Sequence, residues 1–153
     1  QRDAWKYVAI ARISAGNGSG AVEALERYKT FATSSEDIDL GAWNEIRQKK
    51  VSQATLDAVK KTEGIAQFRN PYLVALLDLQ LKKTEEAQEA LKQAVDTADT
   101  SGLDARSWVI YGDLCDQYGF PDAAKMAWSR ARSAKASTRD AQWALATVDG
   151  LAR

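Results

Sequence analysis

The sequence predicts an all-helical chain, on three observations. Apolar residues recur at intervals of three and four, as in Ala141, Ala144, Leu145, Val148 and Leu151-Ala152, the period that gathers them on one helix face. Runs of β-branched residues alternating with polar ones, which would signal half-buried strands, are missing. Only two prolines occur, Pro71 and Pro121, both placed as first-turn residues of helices, where no N–H is needed.

Helix boundaries follow from local chemistry. Short polar side chains able to accept from unpaired N–H groups mark starts at Asp3, Ser35, Ser52, Asn70, Thr84, Asp104 and Thr138. Gly16, Gly64, Gly102 and Gly119 stand where helices should end, because glycine accepts the left-handed conformation that closes them. These signals divide the chain into roughly nine helices with short turns.

The spacing along those helices repeats. Trp108, Tyr111, Gly112, Cys115, Gly119, Ala124, Trp128 and Ala131 set out one pattern of large and small residues. Trp5, Val8, Ala9, Arg12, Gly16, Ala21, Leu25 and Tyr28 return it: 16 residues from tryptophan to the key alanine, then four, then three. A third copy runs through Tyr72, Ala75, Leu76 and Leu79 to Ala87, Leu91 and Ala94, with a turn one residue shorter. Three copies in register point to a repeat architecture.

The pattern resembles the tetratricopeptide repeat, W-x2-L-G-x2-Y followed by A-x3-F-x2-A within about 34 residues. Residues 105–138 match best. Residues 2–35 match except that Arg12 replaces an aromatic, and 69–102 match in part. A degenerate copy is expected over 36–68, with Ala54 and Ala58 in its second helix, Lys61 in place of a third small residue, and Trp43 and Ile46 out of phase. The resemblance implies one domain over 1–153, an α-α superhelix of stacked antiparallel helix pairs, closed by a capping helix at 139–153. In such a stack, Ala9, Ala21, Ala87, Gly112, Ala124 and Ala131 let helices approach. Trp5, Leu25, Leu91, Trp108 and Trp128 fill the space between them. Trp108→Ala or Trp128→Ala is expected to unfold the C-terminal part.

The resemblance also implies a role, which is holding a protein or peptide on a concave surface lined by the first helix of each pair. Carried over, the lining is Lys6, Ile10 and Ile13, then Leu73, Leu77 and Leu81, then Arg106, Val109, Asp113 and Asp116. Tyr72–Leu81 is apolar almost all round, so it is either a covered central helix or the floor of an apolar groove. One subgroup of the family grips acidic chaperone tails with a lysine-asparagine-arginine clamp. Lys6 matches its first position, but Ile10 and Ile110 depart from the other two, which argues for an apolar or mixed peptide instead.

Composition narrows the alternatives. Hydrophobic residues make up 45% and charged residues 27%, a globular balance. Lys+Arg and Asp+Glu both number 21, and the basic clusters Arg47-Gln48-Lys49-Lys50, Lys60-Lys61 and Lys82-Lys83 read as solvated helix faces, so no nucleic-acid partner is expected. The longest apolar stretch, around Tyr72 to Leu81, is too short for a membrane span of about 20 residues. No signal-peptide pattern opens the sequence, and Gln1 is compatible with an end left by processing. A single cysteine leaves the compartment open.

Catalytic equipment is sparse. There is no histidine, hence no Ser–His or Cys–His nucleophile and no histidine metal ligand. Cys115 occupies a packing position of the repeat. The acidic groups Glu36-Asp37-Asp39 and Glu85-Glu86 fall at helix starts, where they complement the dipole. Gly16-Asn17-Gly18-Ser19-Gly20 follows a helix rather than a strand and lacks the Lys-Ser/Thr ending of a phosphate loop, so it reads as a turn. Asn17-Gly18-Ser19 also satisfies the glycosylation sequon. No enzyme activity, cofactor or metal is expected. Beside the scaffold reading stands a structural one, self-association through the repeat ends or the groove.

Overall fold

A computed structural model describes residues 2–31, 35–64, 68–69, 72–97 and 105–133. Among them are eight helices and no strand: α1 (Arg2–Ser14), α2 (Gly18–Lys29), α3 (Glu36–Gln48), α4 (Gln53–Lys61), α5 (Leu73–Gln80), α6 (Thr84–Thr97), α7 (Ala105–Gln117) and α8 (Pro121–Ser133). The expected capping helix at 139–153 lies outside the described residues. So do the boundary signals at Asn70, Pro71, Gly102, Asp104 and Thr138.

Part of the other boundary chemistry is in place, whereas Asp3, expected to cap α1, lies in its first turn and Gly64 falls beyond the Thr62 cap of α4. Ser52 caps α4 by accepting from the Thr55 N–H at 3.2 Å. Asn17 caps α2 through the Gly20 N–H at 3.0 Å. Pro121 opens α8 and Thr84 opens α6. Ser35 stands at the cap of α3 but makes no side-chain cap bond; Glu36, Asp37 and Asp39 supply negative charge in its first turn.

One turn recurs through the chain. After α1, α3, α5 and α7 a residue with positive φ closes the helix: Gly16 (77°), Lys49 (57°), Lys82 (61°) and Gly119 (90°). Each time the next N–H reaches five residues back: Asn17 to Arg12 O at 2.8 Å, Lys50 to Glu45 O at 3.0 Å, Lys83 to Asp78 O at 2.9 Å and Phe120 to Cys115 O at 2.7 Å. This is the Schellman closure, which satisfies the last carbonyls of a helix. Gly16 to Lys49 and Lys49 to Lys82 are each 33 residues apart, and Lys82 to Gly119 is 37. The middle of the chain therefore carries the same turn as its ends, with lysine in the strained position that glycine adopts freely.

The helices around each such turn run antiparallel where cross-helix contacts pin both ends. Arg12 donates to Gly20 O at 2.8 Å near the α1–α2 turn, while the Arg27 guanidinium lies 4.8 Å from the Trp5 ring at the far end. Trp128 donates to Asp113 at 3.1 Å, and Arg130 sits 5.5 Å over the Trp108 ring. Arg12, where the sequence pattern predicts an aromatic, thus serves as a hydrogen-bonding bridge between α1 and α2. Successive helices pack together from α1 through α6, α7 packs on α8, and one apolar cluster draws on all eight.

Polar and aromatic links join the pairs. Gln48 donates to Gly16 O at 3.0 Å, Gln80 to Ile46 O at 3.1 Å and Gln88 to Tyr118 O at 3.5 Å. Trp43 meets Tyr72 edge-on at 6.3 Å, Tyr72 stacks on Tyr111 at 6.3 Å, and Tyr111 meets Trp108 at 6.0 Å. The Tyr111 hydroxyl donates to Leu91 O at 3.2 Å.

The small signature residues behave as the spacing predicts in three of the pairs, where Ala9, Ala21, Ala87 and Ala124 are fully buried. The second pair is out of register. In α4 the buried residues are Leu56 and Val59, leaving Ala54 exposed and Ala58 half-buried. Leu25, Leu91 and Trp108 are buried, whereas Trp5, Trp128 and Ala131 are half-buried.

Two helix glycines make opposite predictions. A Cβ at Gly112 would lie 2.4 Å from Trp128 Nε1, whereas one at Gly41 meets nothing within 4 Å. Alanine in place of glycine inside a helix normally stabilises by about 1 kcal/mol. Gly41→Ala should therefore raise the unfolding midpoint. Gly112→Ala should lower it, because overpacking costs about 1–3 kcal/mol. Urea denaturation of the two variants checks the difference in sign.

Candidate protein-binding surface

The candidate lining residues fall into two groups. Ile13, Leu73 and Leu77 are fully buried and Ile10 is 8% exposed, so these four belong to the core and present almost no surface. Leu81 is half-buried. Within the Tyr72–Leu81 segment, Tyr72, Leu73, Ala75, Leu77 and Asp78 are buried and the other residues are half-buried. Lys6 is also committed: its ammonium lies 3.9 Å from Glu36, and the side chains are 12% and 3% exposed. That contact ties α1 to the start of α3.

The second group lies on α7. Val109 is 42% exposed, and Asp113 and Asp116 are exposed. Asp113 accepts from Trp128, so it also orients the half-buried indole. The side chain of Arg106 lies outside the described residues. The predicted lining thus reduces to one exposed patch on α7.

Residues outside the predicted lining form a further hollow. Three adjoining hollows of about 170, 260 and 260 Å³ share Glu45 and run along α3. Together they make a trough with Gly41 at its centre. One wall is α2, through Val22, Glu26 and Lys29; the other is α4, through Ala54, Thr55 and Ala58. Val22 is 52% exposed. Sequence reading missed this trough because it assigned Ala54 and Ala58 to the buried face of α4, whereas Leu56 and Val59 occupy that face. The remaining signal was Gly41, a glycine inside a helix with no turn to explain it.

The charged lining is nearly balanced, with Glu26, Asp37 and Glu45 against Lys29 and Lys50. Glu26 and Asp37 share Lys29, at 3.7 and 3.9 Å. Glu45 accepts from the Ser52 N–H at 3.0 Å and from the Thr55 hydroxyl, holding the start of α4. Asn44, 5% exposed, donates through Nδ2 to Gly18 O at 3.3 Å, and its Oδ1 has no hydrogen-bond partner.

The remaining titratable groups of note lie inside. Asp39 is fully buried against Arg69, with Oδ1 accepting from Nε at 2.7 Å. Burial pushes its carboxyl above the ordinary range, and the Arg69 guanidinium only partly offsets this. Asp78, on α5, is pushed up by burial against the opposing pull of Lys60 and Lys83. Cys115 is fully buried, and burial pushes its thiol up, the reverse of what a reactive thiolate needs. Among the described residues no cluster suited to a metal ion occurs, and no helix is long and apolar enough to cross a membrane.

No protein-family model matches the chain, and neither does any curated protein or solved structure compared with it.

Proposed function

We propose that the chain is a tetratricopeptide-type scaffold that holds a protein or peptide partner. The observation that carries this reading is the Schellman closure recurring after α1, α3, α5 and α7 at spacings of 33, 33 and 37 residues, close to the repeat length of about 34. Stacks of this kind build their cores from neighbour interfaces and leave extended helix faces for partners. Among the described residues, exposed Val22, Phe31 and Val109 are the large apolar side chains available to such a partner.

The test is affinity capture from the native cell with the chain as bait, followed by mass spectrometry, repeated with Val22→Glu and Val109→Glu. Both positions are exposed, so the variants should keep the parent's circular dichroism and melting. The expected outcome is a reproducible partner lost with at least one of them. Charged replacements at Ile10 or Leu77 would not serve, since both are core positions. Retention of every captured protein by both variants would sink the reading. A mass that climbs with concentration in sedimentation, with no captured partner, would favour the self-associating alternative.

A further inference from the structure

We infer that the trough over α3 is a seat for an α-helix of a partner protein, one with a small apolar contact face flanked by lysine or arginine. The inference rests on the scaffold reading and goes beyond it, since it places the partner between α2 and α4 rather than on the predicted concave lining.

The first argument comes from Gly41. Gly18, Gly20 and Gly112 each have a side-chain atom within 3 Å of where a Cβ would stand, so packing within the chain accounts for them. Gly41 has open space there, although glycine is a poor residue for a helix interior. A glycine floor between Ala54 and Ala58 on one wall and Val22 on the other lets a second backbone approach closely.

The second argument concerns the kind of segment that fits. The walls and floor are helices whose backbone groups are paired internally, so they offer no edge to which a strand could be added. A partner helix brings its own backbone bonds satisfied and needs only a complementary side-chain face. The trough runs beside α3 from Asp37 to Gln48, about three turns at 1.5 Å per residue.

The third argument is charge. Glu26 and Asp37 have one ammonium, Lys29, between them. Asn44 lines the trough with its amide held by the bond from Nδ2 to Gly18 O, and its Oδ1 is buried with no hydrogen-bond partner among the described residues. With Glu26, Asp37 and Glu45 against Lys29 and Lys50, the lining keeps one surplus carboxylate; lysine or arginine on the incoming helix would pair with it, and acidic residues there would be repelled.

A phage-displayed library of random 16-residue peptides, selected on the folded chain, tests this. The enriched peptides should carry Ala, Gly or Ser four residues apart beside Lys or Arg. The tightest, made synthetically, should gain helicity on binding. Its affinity should fall at least tenfold on Gly41→Leu and on Val22→Lys, fall with added salt, and be unchanged on Val109→Glu. Val22 is exposed, so that variant reports on binding even if Gly41→Leu disturbs α3. Acidic enriched peptides, no enrichment, or affinity insensitive to both trough variants would overturn the proposal. Binding lost on Val109→Glu alone would overturn the trough yet leave the scaffold reading standing. That reading has its own trial in the capture experiment.

Discussion

Trp43→Ala is expected to unfold the middle of the chain. Trp43 is the largest fully buried side chain among the described residues. Its ring meets Tyr72 edge-on, and its indole N–H donates to Phe68 O at 2.7 Å in a buried bond that ties the segment after α4 back to α3. Removing a buried tryptophan costs on the order of 3–5 kcal/mol, and the orphaned carbonyl adds about 1–3 kcal/mol. That total rivals the whole stability of a small domain, about 5–15 kcal/mol. Loss of Tyr72 packing would pass to Tyr111, on which it stacks, so α7 should loosen as well. Thermal and urea unfolding by circular dichroism should show a large drop in midpoint or no cooperative transition. Trp128→Ala provides the contrast: that indole is half-buried and bonded to exposed Asp113, so its removal should cost less. A Trp43→Ala protein that melts like its parent would mean that the aromatic chain through Tyr72 carries little of the stability.

That ranking differs from the one the repeat pattern suggests, and the difference shows what was legible in the residues alone. The all-helical class was legible, because apolar spacing and turn chemistry agree at each level. Ala21, Ala87 and Ala124 were found by interval and are fully buried. The second pair was obscured for two reasons. Its closing turn uses Lys49 at positive φ, a position that sequence reading assigns to glycine. Its second helix buries Leu56 and Val59 rather than the alanines, so small residues that mimic the signature line the outer trough. Trp43 looks out of phase because its partners, Phe68 and Tyr72, lie outside its own helix pair. Surface lining was the least legible property. Ile10, Ile13, Leu73 and Leu77 have the residue types of a groove, and only packing reveals that neighbouring helices cover them.

Arg69→Ala should destabilise almost as strongly as Trp43→Ala, with a dependence on pH that identifies the cause. Arg69 lies in the segment after α4, and its guanidinium reaches three places. It pairs with Asp39 at 2.5 Å and donates to Val59 O at 2.8 Å and Thr62 O at 2.6 Å, closing the end of α4. Asp39 is fully buried, its Oδ2 has no hydrogen-bond partner, and a Cβ at Gly64 would collide with that oxygen. Removing the arginine leaves a buried carboxylate without its counter-charge, a change that costs about 3–5 kcal/mol when one partner of a buried pair is lost. The sign of the pH effect follows from Asp39, whose pKa is already raised in the folded chain. A raised carboxyl makes the folded state bind its proton before the unfolded state does. Its ionised form therefore opposes folding above the folded pKa, and that penalty is relieved as pH falls through the folded pKa toward the unfolded value. Without Arg69 the folded pKa rises further, so the gap in unfolding free energy between variant and parent should narrow on acidification. Urea denaturation of both proteins at neutral and mildly acidic pH measures that gap directly, with effects common to the two cancelling. With Asp39→Asn introduced into both proteins, the gap between them should no longer depend on pH. Arg69→Met with Asp39→Leu should recover much of the stability, since a packed apolar pair often equals a buried ionic one. A gap that stays constant with pH would assign the role of Arg69 to the α4 carbonyls instead of Asp39.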